Sequence, residues 1–442
     1  MSGTTPRSNA TSSRILPLLA WLDRGGGPVL ARLAWRNVRR NRRRTGLTLL
    51  VIIAGTLALC LSGGFMAQTF QGLADAAIRG GLGHVQLMHP KALEGDEGQS
   101  LEFAIPDGET LAARLRQDPA VLDVLPRVQF MGLLSNGPKS VAFLGTAVDP
   151  AREAKHMAVL DQVRDGAKGK GGAGSRWLSS DPGAREVLLG AGLARGLGVS
   201  VGGSLTLMST TQDGALNAVD VEVVGLQDFG FKELNDRFLS VSLATAEVLV
   251  DAGGARSRLS VVLKDPSKAR AEAPRLARLA GGGAAASPWM DLASFYQQVK
   301  LLYLAIFGFM GLVLFLVVLL ATANTLLMSV MERLREFGTL RAVGLQPGQL
   351  LALLQWEGAI LGTLGSALGI VLTLLLRAGV NALHLQLPPP PGTSHGYELN
   401  IHFVPAVYLG VFLGLQLTLQ LSALFPGLKA AKLRIVEALR HV

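Results

Sequence analysis

The sequence predicts an α-helical membrane domain of four transmembrane helices joined to a large α+β extracytoplasmic domain. Three observations lead there. Four blocks carry no charge over spanning length: Gly46–Ala67 (22 residues), Leu301–Met331 (31), Gly358–Leu376 (19) and Phe403–Leu428 (26), where a spanning helix needs about 20 residues. Positive charge concentrates at one end. Residues 1–45 hold ten arginines and a single acid, Asp23, a net of +9 out of +10 for the chain. Between the first two blocks, Gln68–Lys300 reads as short strands and helices of mixed charge.

The chain has 442 residues, 49% of them hydrophobic, with mean hydropathy +0.37. In order, residues 1–29 read as a cytoplasmic tail, disordered over the small polar stretch "MSGTTPRSNATSS". Residues 30–45 follow as a basic amphipathic helix. Leu30, Leu33, Ala34 and Val38 fall at i, i+3, i+4 and i+8, and arginines fill most of the remainder. Such a helix lies at the inner membrane interface. Arg36, Arg39, Arg40, Arg42, Arg43 and Arg44 then anchor topology, because a dense basic run before a spanning helix stays in the cytoplasm. Nucleic-acid binding is not needed to explain the charge. The first spanning helix, 46–67, is too long and starts too late for a usual cleaved signal, so it reads as an uncleaved anchor.

The chain then exits. The extracytoplasmic domain, 68–300, contains strands such as "HVQLM" and "SVAFLGTAVD" and helices such as "DGETLAARLRQD" and "KARAEAPRLARL". Its Gly/Lys stretch "DGAKGKGGAGS" (165–175) reads as a flexible loop; it lacks the spacing of a phosphate-binding loop. The one cysteine, Cys60, excludes an intramolecular disulfide and a Cys-based metal cage. The second spanning helix, 301–331, would run about 46 Å against a core of about 30 Å, so it tilts or projects as a stalk. Residues 332–348 interrupt the apolar text with five charges. Placed mid-bilayer these would cost about 12 kcal/mol, so the stretch lies outside. Leu334, Phe337, Leu340 and Val343 suggest a short helix with an apolar side, Glu332 and Glu336 lie near its start, and Gly344 and Pro347 stop it. The third spanning helix occupies 350–376, a short outer loop 378–402 without Lys or Arg follows, the fourth spanning helix is 403–428, and 429–442 is a basic cytoplasmic tail. Every short loop obeys the positive-inside rule.

Within the interruption stands Glu336-x-Gly338-x-x-Arg341-Ala342-x-Gly344. This resembles the coupling-helix signature of the FtsX-like permease family of ABC transporters. "LAWRNVRRNRRRTGLTLL" is similar to that family's entry into its first helix, "GHVQLMHP" and "VLLGAGLARGLGVSVGGSLTL" to its outer domain, and "KLRIVEALR" to its ending. The size of the outer region resembles the MacB and lipoprotein-releasing LolC/LolE branch. The resemblance implies a bacterial inner-membrane protein whose periplasmic domain has a porter-like part and an inserted subdomain, here placed at about 185–250. It implies a cytoplasmic ABC ATPase subunit as partner and a second permease copy, identical or paralogous. Periplasmic lipoprotein cargo or an adaptor would join them. ATP and Mg would bind the partner ATPase, since this chain contains no Walker A motif. It is therefore read as a permease subunit and not an enzyme, with no cofactor of its own and the lipid bilayer around it. The implied role is to transmit ATPase motion through Glu336, Gly338, Arg341, Ala342 and Gly344, and so extract lipoprotein or export a periplasmic substrate. A different reading stays open: a regulatory membrane protein that activates a periplasmic partner such as a cell-wall hydrolase without cargo.

Other residues are weaker candidates. Gly358, Gly362, Gly365 and Gly369 lie on one helical face as two small-xxx-small steps, which suggests a close helix contact. Asn324 can hydrogen-bond a neighbouring helix. Glu357, just before the third apolar block, can be solvated or paired with an arginine. His384, His395 and His402 surround a Pro-rich turn at spacings that match no common metal site. No catalytic set and no metal site are expected.

Overall fold

The computed structural model describes residues 27–40, 42–93, 103–230, 232–281, 283–388 and 397–432. The N-terminal tail to residue 26, the Pro-rich turn with His395 and the basic ending after Lys432 lie outside the described residues. In chain order the elements are α1 (Gly27–Arg40), α2 (Arg42–Ala77), β1 (Val85–Met88), α3 (Gly108–Arg116), β2 (Val121–Ser135), β3 (Ser140–Val148), α4 (Pro150–His156) and α5 (Val159–Ala167). Then come β4 (Glu186–Gly190), α6 (Ala191–Leu197), β5 (Ser204–Thr210), β6 (Leu216–Gln227), α7 (Lys232–Arg237), β7 (Phe238–Ser242), α8 (Leu243–Val250) and β8 (Arg258–Leu263). The remainder is α9 (Ala269–Ala280), β9 (Ala285–Pro288), α10 (Trp289–Leu292), α11 (Ser294–Glu332), α12 (Leu334–Ala342), α13 (Pro347–Ala382), β10 (Gln386–Leu387), β11 (Tyr397–Glu398) and α14 (Pro405–Lys432). The chain divides into two units. One comprises Met1–Gln68, Leu302–Leu385 and Leu399–Val442; the other comprises Thr69–Leu301 and Gln386–Glu398.

In the first unit, α2, α11, α13 and α14 are long and apolar enough to cross a membrane. They overrun the expected apolar blocks, which end at 67, 331, 376 and 428 on the sequence reading. α2 has 36 residues, α11 has 39 and α13 has 36. The reason is that a helix stops at a cap, not where hydrophobicity ends. The polar flanks "RRRT", "QTFQGLADAA" and "SFYQQVK" contain no proline and little glycine to break the ladder. α13 begins where Gln346 and Gln349 form a reciprocal capping box, with Pro347 at the first helical position. Pro347 therefore starts a helix and does not stop the preceding one.

The second unit is built on one nine-stranded sheet, ordered β3-β7-β4-β6-β5-β2-β8-β1-β9, in which β3 also pairs with β2. The extra pairing closes β2, β3, β7, β4, β6 and β5 into a six-stranded barrel. Its interior holds Phe130, Leu134, Phe143, Leu189, Leu207 and Val221. The open remainder, β2-β8-β1-β9, is antiparallel and carries α3 and α9 in a split β-α-β arrangement. Leu111, Leu115 and Leu276 bury the two helices against Val85, Leu87, Val124 and Val261. The two parts share β2: Val121–Arg127 pairs with β8, and Arg127–Ser135 pairs with β3. The inserted part thus runs from about 128 to 257, not from about 185 to 250 as expected. A barrel cannot close without β2 and β3, so the insertion has to start inside β2.

Stretch 165–175 is also not an open loop. Ser175 Oγ accepts the amide of Leu226 at 3.0 Å and donates to Gly172 O, and Gly171 O accepts from Val201. α2 ends in a π-helical turn, Ile78–Leu82, where Gly81 takes φ +135°, a conformation that suits glycine. Gly81 O is held by the Arg127 guanidinium and by Ser260 Oγ, and Arg127 in turn is gripped by Glu153, whose side chain is 1% exposed. The end of the helix is thereby fastened to the sheet of its own unit.

Candidate coupling site

α12 spans nine residues between the two long helices α11 and α13. Its inward face is Leu334, Phe337 and Gly338, all buried. Phe337 joins a small core with Leu30 and Ala34 of α1, Val330 of α11, Leu350, Leu353 and Leu354 of α13, and Ala430 of α14. The expected apolar side is only half there. Leu340 is 40% exposed and Val343 is 89% exposed. The physical reason is the 3.6-residue turn: each three-residue step drifts about 60° round the axis, so the third and fourth members of the series rotate off the inward face. The outward side is then Thr339, Leu340, Ala342, Val343 and Gly344. Arg341 is half-buried. Gly344 follows the helix at φ +109°, where a side chain would be strained, and Leu345 N closes back on Leu340 O at 2.9 Å.

Of the five signature residues, Gly338 is buried on the inward face of α12, while Ala342 and Gly344 face outward.

Polar groups pin α12 in place. Arg333 precedes it and donates through Nε to Glu336 (2.7 Å) and through Nη2 to Asn37 Oδ1 (2.6 Å). Asn37 Nδ2 donates to Glu357 Oε1 (2.6 Å), and Arg333 Nη1 lies 3.6 Å from the same oxygen. Glu357 is 4% exposed, so its charge has to be met inside the protein. Arg40 donates to Glu336 (2.9 Å), and Arg44 grips Glu332 with two bonds of 2.7 and 2.9 Å. The hydrogen bond from Arg333, reinforced by Arg40, outweighs partial burial and holds the Glu336 carboxyl below the ordinary glutamate range. It thus stays ionised at neutral pH.

Two of the six anchoring arginines are therefore also structural partners of the α12 region, while Arg36, Arg39, Arg42 and Arg43 are exposed. Sequence reasoning missed Asn37 and Arg333. One signal was available: a buried acid such as Glu357 needs a partner, and Asn37 stands three residues after Ala34 on the apolar side of α1. Of His384, His395 and His402, the first and last are described, and the described residues hold no metal-binding group of three or more His, Cys, Asp and Glu side chains.

The glycine stripe of α13 does form close contacts, but with two helices rather than one. A Cβ on Gly358 would meet Leu419 O at 3.3 Å, and one on Gly362 would meet Leu419 Cδ1 at 2.7 Å, both on α14. At Gly365 it would meet Ile52 Cγ2 at 2.6 Å, and at Gly369 Thr56 Cβ at 2.6 Å, both on α2. α13 thus packs on α14 near its start and on α2 further along.

The chain thus combines four long apolar helices, a short polar-pinned helix between the second and third, and a large sheet domain between the first and second. Residues 45–279 match the MacB-like periplasmic core domain, and residues 308–435 match the FtsX-like permease C-terminal family. The chain belongs to this FtsX-like, MacB-type permease family. Lipoprotein-releasing system transmembrane protein LolC of Neisseria meningitidis is 26% identical over 341 residues, covering 73% of this chain and 78% of the relative. LolE of Haemophilus influenzae is 23% identical over 356 residues, covering 75% and 80%. The crystallised periplasmic region of MacB from Actinobacillus actinomycetemcomitans aligns with 50% of this chain and 95% of its own, at 14% identity and a TM-score of 0.33.

Proposed function

We propose that this chain is the permease subunit of a lipoprotein-releasing type of ABC transporter in a bacterial inner membrane. α12 docks on a separate cytoplasmic ATPase, and two permeases work together. Closing of the ATPases on ATP pushes α12. The Arg333–Asn37–Glu357 and Arg44–Glu332 contacts pass that push to α1, α13, α11 and α2 as one block. α2 and α11 carry it to the periplasmic domain, which draws lipoprotein from the outer leaflet. The observation that carries this reading is the exposed apolar tip of α12, Leu340 and Val343, on a helix otherwise held rigidly by buried and ion-paired contacts. A tip of this kind suits insertion into an apolar groove.

Val343→Glu and Leu340→Glu, each placing a charge in such a groove, are expected to reduce ATPase copurification at least tenfold, about 1.4 kcal/mol, and to stop lipoprotein release. The chain should still insert at normal levels. Normal copurification and release in both variants would remove the coupling role. Release of a different periplasmic substrate, with lipoprotein unaffected, would replace the cargo but keep the permease.

The orientation has its own check. With Cys60 replaced by alanine, exposed Ala173→Cys should react with an impermeant thiol reagent added outside spheroplasts, and Val343→Cys only after the membrane is opened. The reverse pattern would invert the topology.

A further inference from the structure

Between Arg341 and Lys429 the chain carries one lysine or arginine, Arg377. It stands near the end of α13, about 30 Å along the helix axis from Glu357. Glu357 is tied to Asn37 and Arg333 near the start of the helix. A hydrocarbon core is about 30 Å thick, so a spanning α13 brings Arg377 to the outer rim of the bilayer. A cation there runs against the charge bias of the other short segments. An ionisable side chain in a spanning helix calls for a partner.

The surroundings hold the guanidinium without neutralising it. Arg377 Nε donates to Ile401 O at 2.8 Å. Asn381 steadies the same residue, accepting from Ile401 N at 2.8 Å and donating to Ile401 O at 3.2 Å. Arg377 Cζ lies 5.8 Å from the centroid of the Phe403 ring, and the Tyr408 ring lies 4.9 Å from Phe403. Among the described residues, none pairs with Nη1 or Nη2 of Arg377. Those are the donors with which a guanidinium grips an oxyanion in parallel. Tyr408 is 6% exposed, yet its hydroxyl has no hydrogen-bond partner among the described residues. It lies within electrostatic reach of Arg377. An unmade bond at a buried hydroxyl is costly, and an arginine cannot shed its charge. One anion meets both demands.

We propose that Arg377 and Tyr408 bind the phosphate of an outer-leaflet phospholipid. The phosphodiester presents two anionic oxygens to the Nη pair and accepts the Tyr408 hydroxyl. The position favours a phospholipid over a small anion. On the membrane side of Arg377 and Tyr408, α13 exposes Val371 (54%), Leu372 (40%) and Leu375 (65%), and α14 exposes Leu409 (59%) and Leu413 (56%). Acyl chains cover such side chains, and the headgroup above them then meets the guanidinium. The inference rests on the reading that α13 crosses the membrane, and it goes beyond that reading by naming a resident lipid distinct from any cargo.

The test uses the full chain, purified in detergent and stripped of lipid. Palmitoyl-oleoyl phosphatidylglycerol is titrated in, and bound lipid is counted by native mass spectrometry. The unaltered chain should hold one phosphatidylglycerol more tightly than the rest. Arg377→Gln should raise the dissociation constant of that lipid at least tenfold, and Arg377→Lys should raise it less. Tyr408→Phe, which keeps the ring and its packing, should raise it several-fold. Arg36→Gln, on the opposite side of the membrane, should leave it unchanged. Diacylglycerol with the same chains should not be held, and excess inorganic phosphate should not displace the phospholipid. Unchanged affinity in Arg377→Gln would overturn the site, and unchanged affinity in Tyr408→Phe would remove the hydroxyl from it. Loss in Arg36→Gln alone, equal retention of diacylglycerol, or displacement by inorganic phosphate would each overturn the proposal. Inverted labelling in the orientation check would overturn the outer-leaflet placement. Binding is read without ATPase or cargo, so failed lipoprotein release leaves the site standing, and failed lipid binding leaves the permease reading standing.

Discussion

Replacing Gly365 with leucine is expected to destabilise the membrane unit by about 2–3 kcal/mol and to lower its amount in the membrane several-fold. The first atom of any side chain there would already stand 2.6 Å from Ile52 Cγ2 and 2.8 Å from Ile52 Cβ. Ile52 is fully buried and β-branched, with little rotamer freedom to move aside. Its neighbours Val318, Leu361, Leu415 and Leu419 fill the space behind it. The helices would have to separate, losing contacts along α2 and α13, and overpacking of this kind typically costs about 1–3 kcal/mol. Gly365→Ala should cost less, and Ile52→Ala in the Gly365→Leu background should recover part of the loss. Gly379 is the control, because nothing lies within 4 Å of a Cβ there. Thermal unfolding in detergent of Gly365→Leu and Gly379→Leu measures the difference; equal midpoints would mean that α2 and α13 do not pack at Gly365.

The second large effect is expected at Arg333. Arg333→Leu leaves the Glu357 carboxylate, 4% exposed, with Asn37 as its remaining close partner. It also frees Glu336 from a 2.7 Å bond and removes the guanidinium from over the Phe337 ring. Breaking one side of a buried charged pair costs about 3–5 kcal/mol, mostly as the penalty of the stranded charge. We expect about 3 kcal/mol, since Asn37 continues to donate. Glu357→Leu combined with Arg333→Leu should cost clearly less than the sum of the two single changes, because no charge is then stranded. A double-mutant cycle on unfolding midpoints reads this coupling, and strict additivity would show that Arg333 and Glu357 act independently.

Much of the architecture was legible because hydrocarbon imposes a simple rule. Charge-free runs of spanning length located α2, α11, α13 and α14, and the five charges after Met331 separated α12 from its neighbours. Helix ends were not legible in the same way, since α11 continues through "SFYQQVK", where Tyr296 packs on Trp289 and Phe70 and Gln297 Nε2 donates to Met290 O. Nor was the boundary of the inserted barrel, because the same fifteen-residue strand serves both parts of one sheet. At the candidate site the sequence located the helix and its charges but misassigned its sides. Three-residue spacing was read as one face, whereas helical drift turns Leu340 and Val343 outward. The Arg333–Asn37–Glu357 cluster joins residues 320 positions apart, a pairing that periodicity cannot reveal. The division of the glycine stripe between Ile52 and Leu419 likewise depends on which helices lie beside it.

The sharing of β2 bears on how the sheet domain answers a mechanical load. Two modules joined by a linker can flex at the joint, and tension on one is lost as bending. Here the joint is an unbroken strand, bonded to β8 over its first half and to β3 over its second. A pull along that strand loads many ladder bonds in shear at once, not one after another as in unzipping. The split β-α-β part and the barrel therefore behave as a single stiff beam, and displacement applied at one end arrives at the other with little slack.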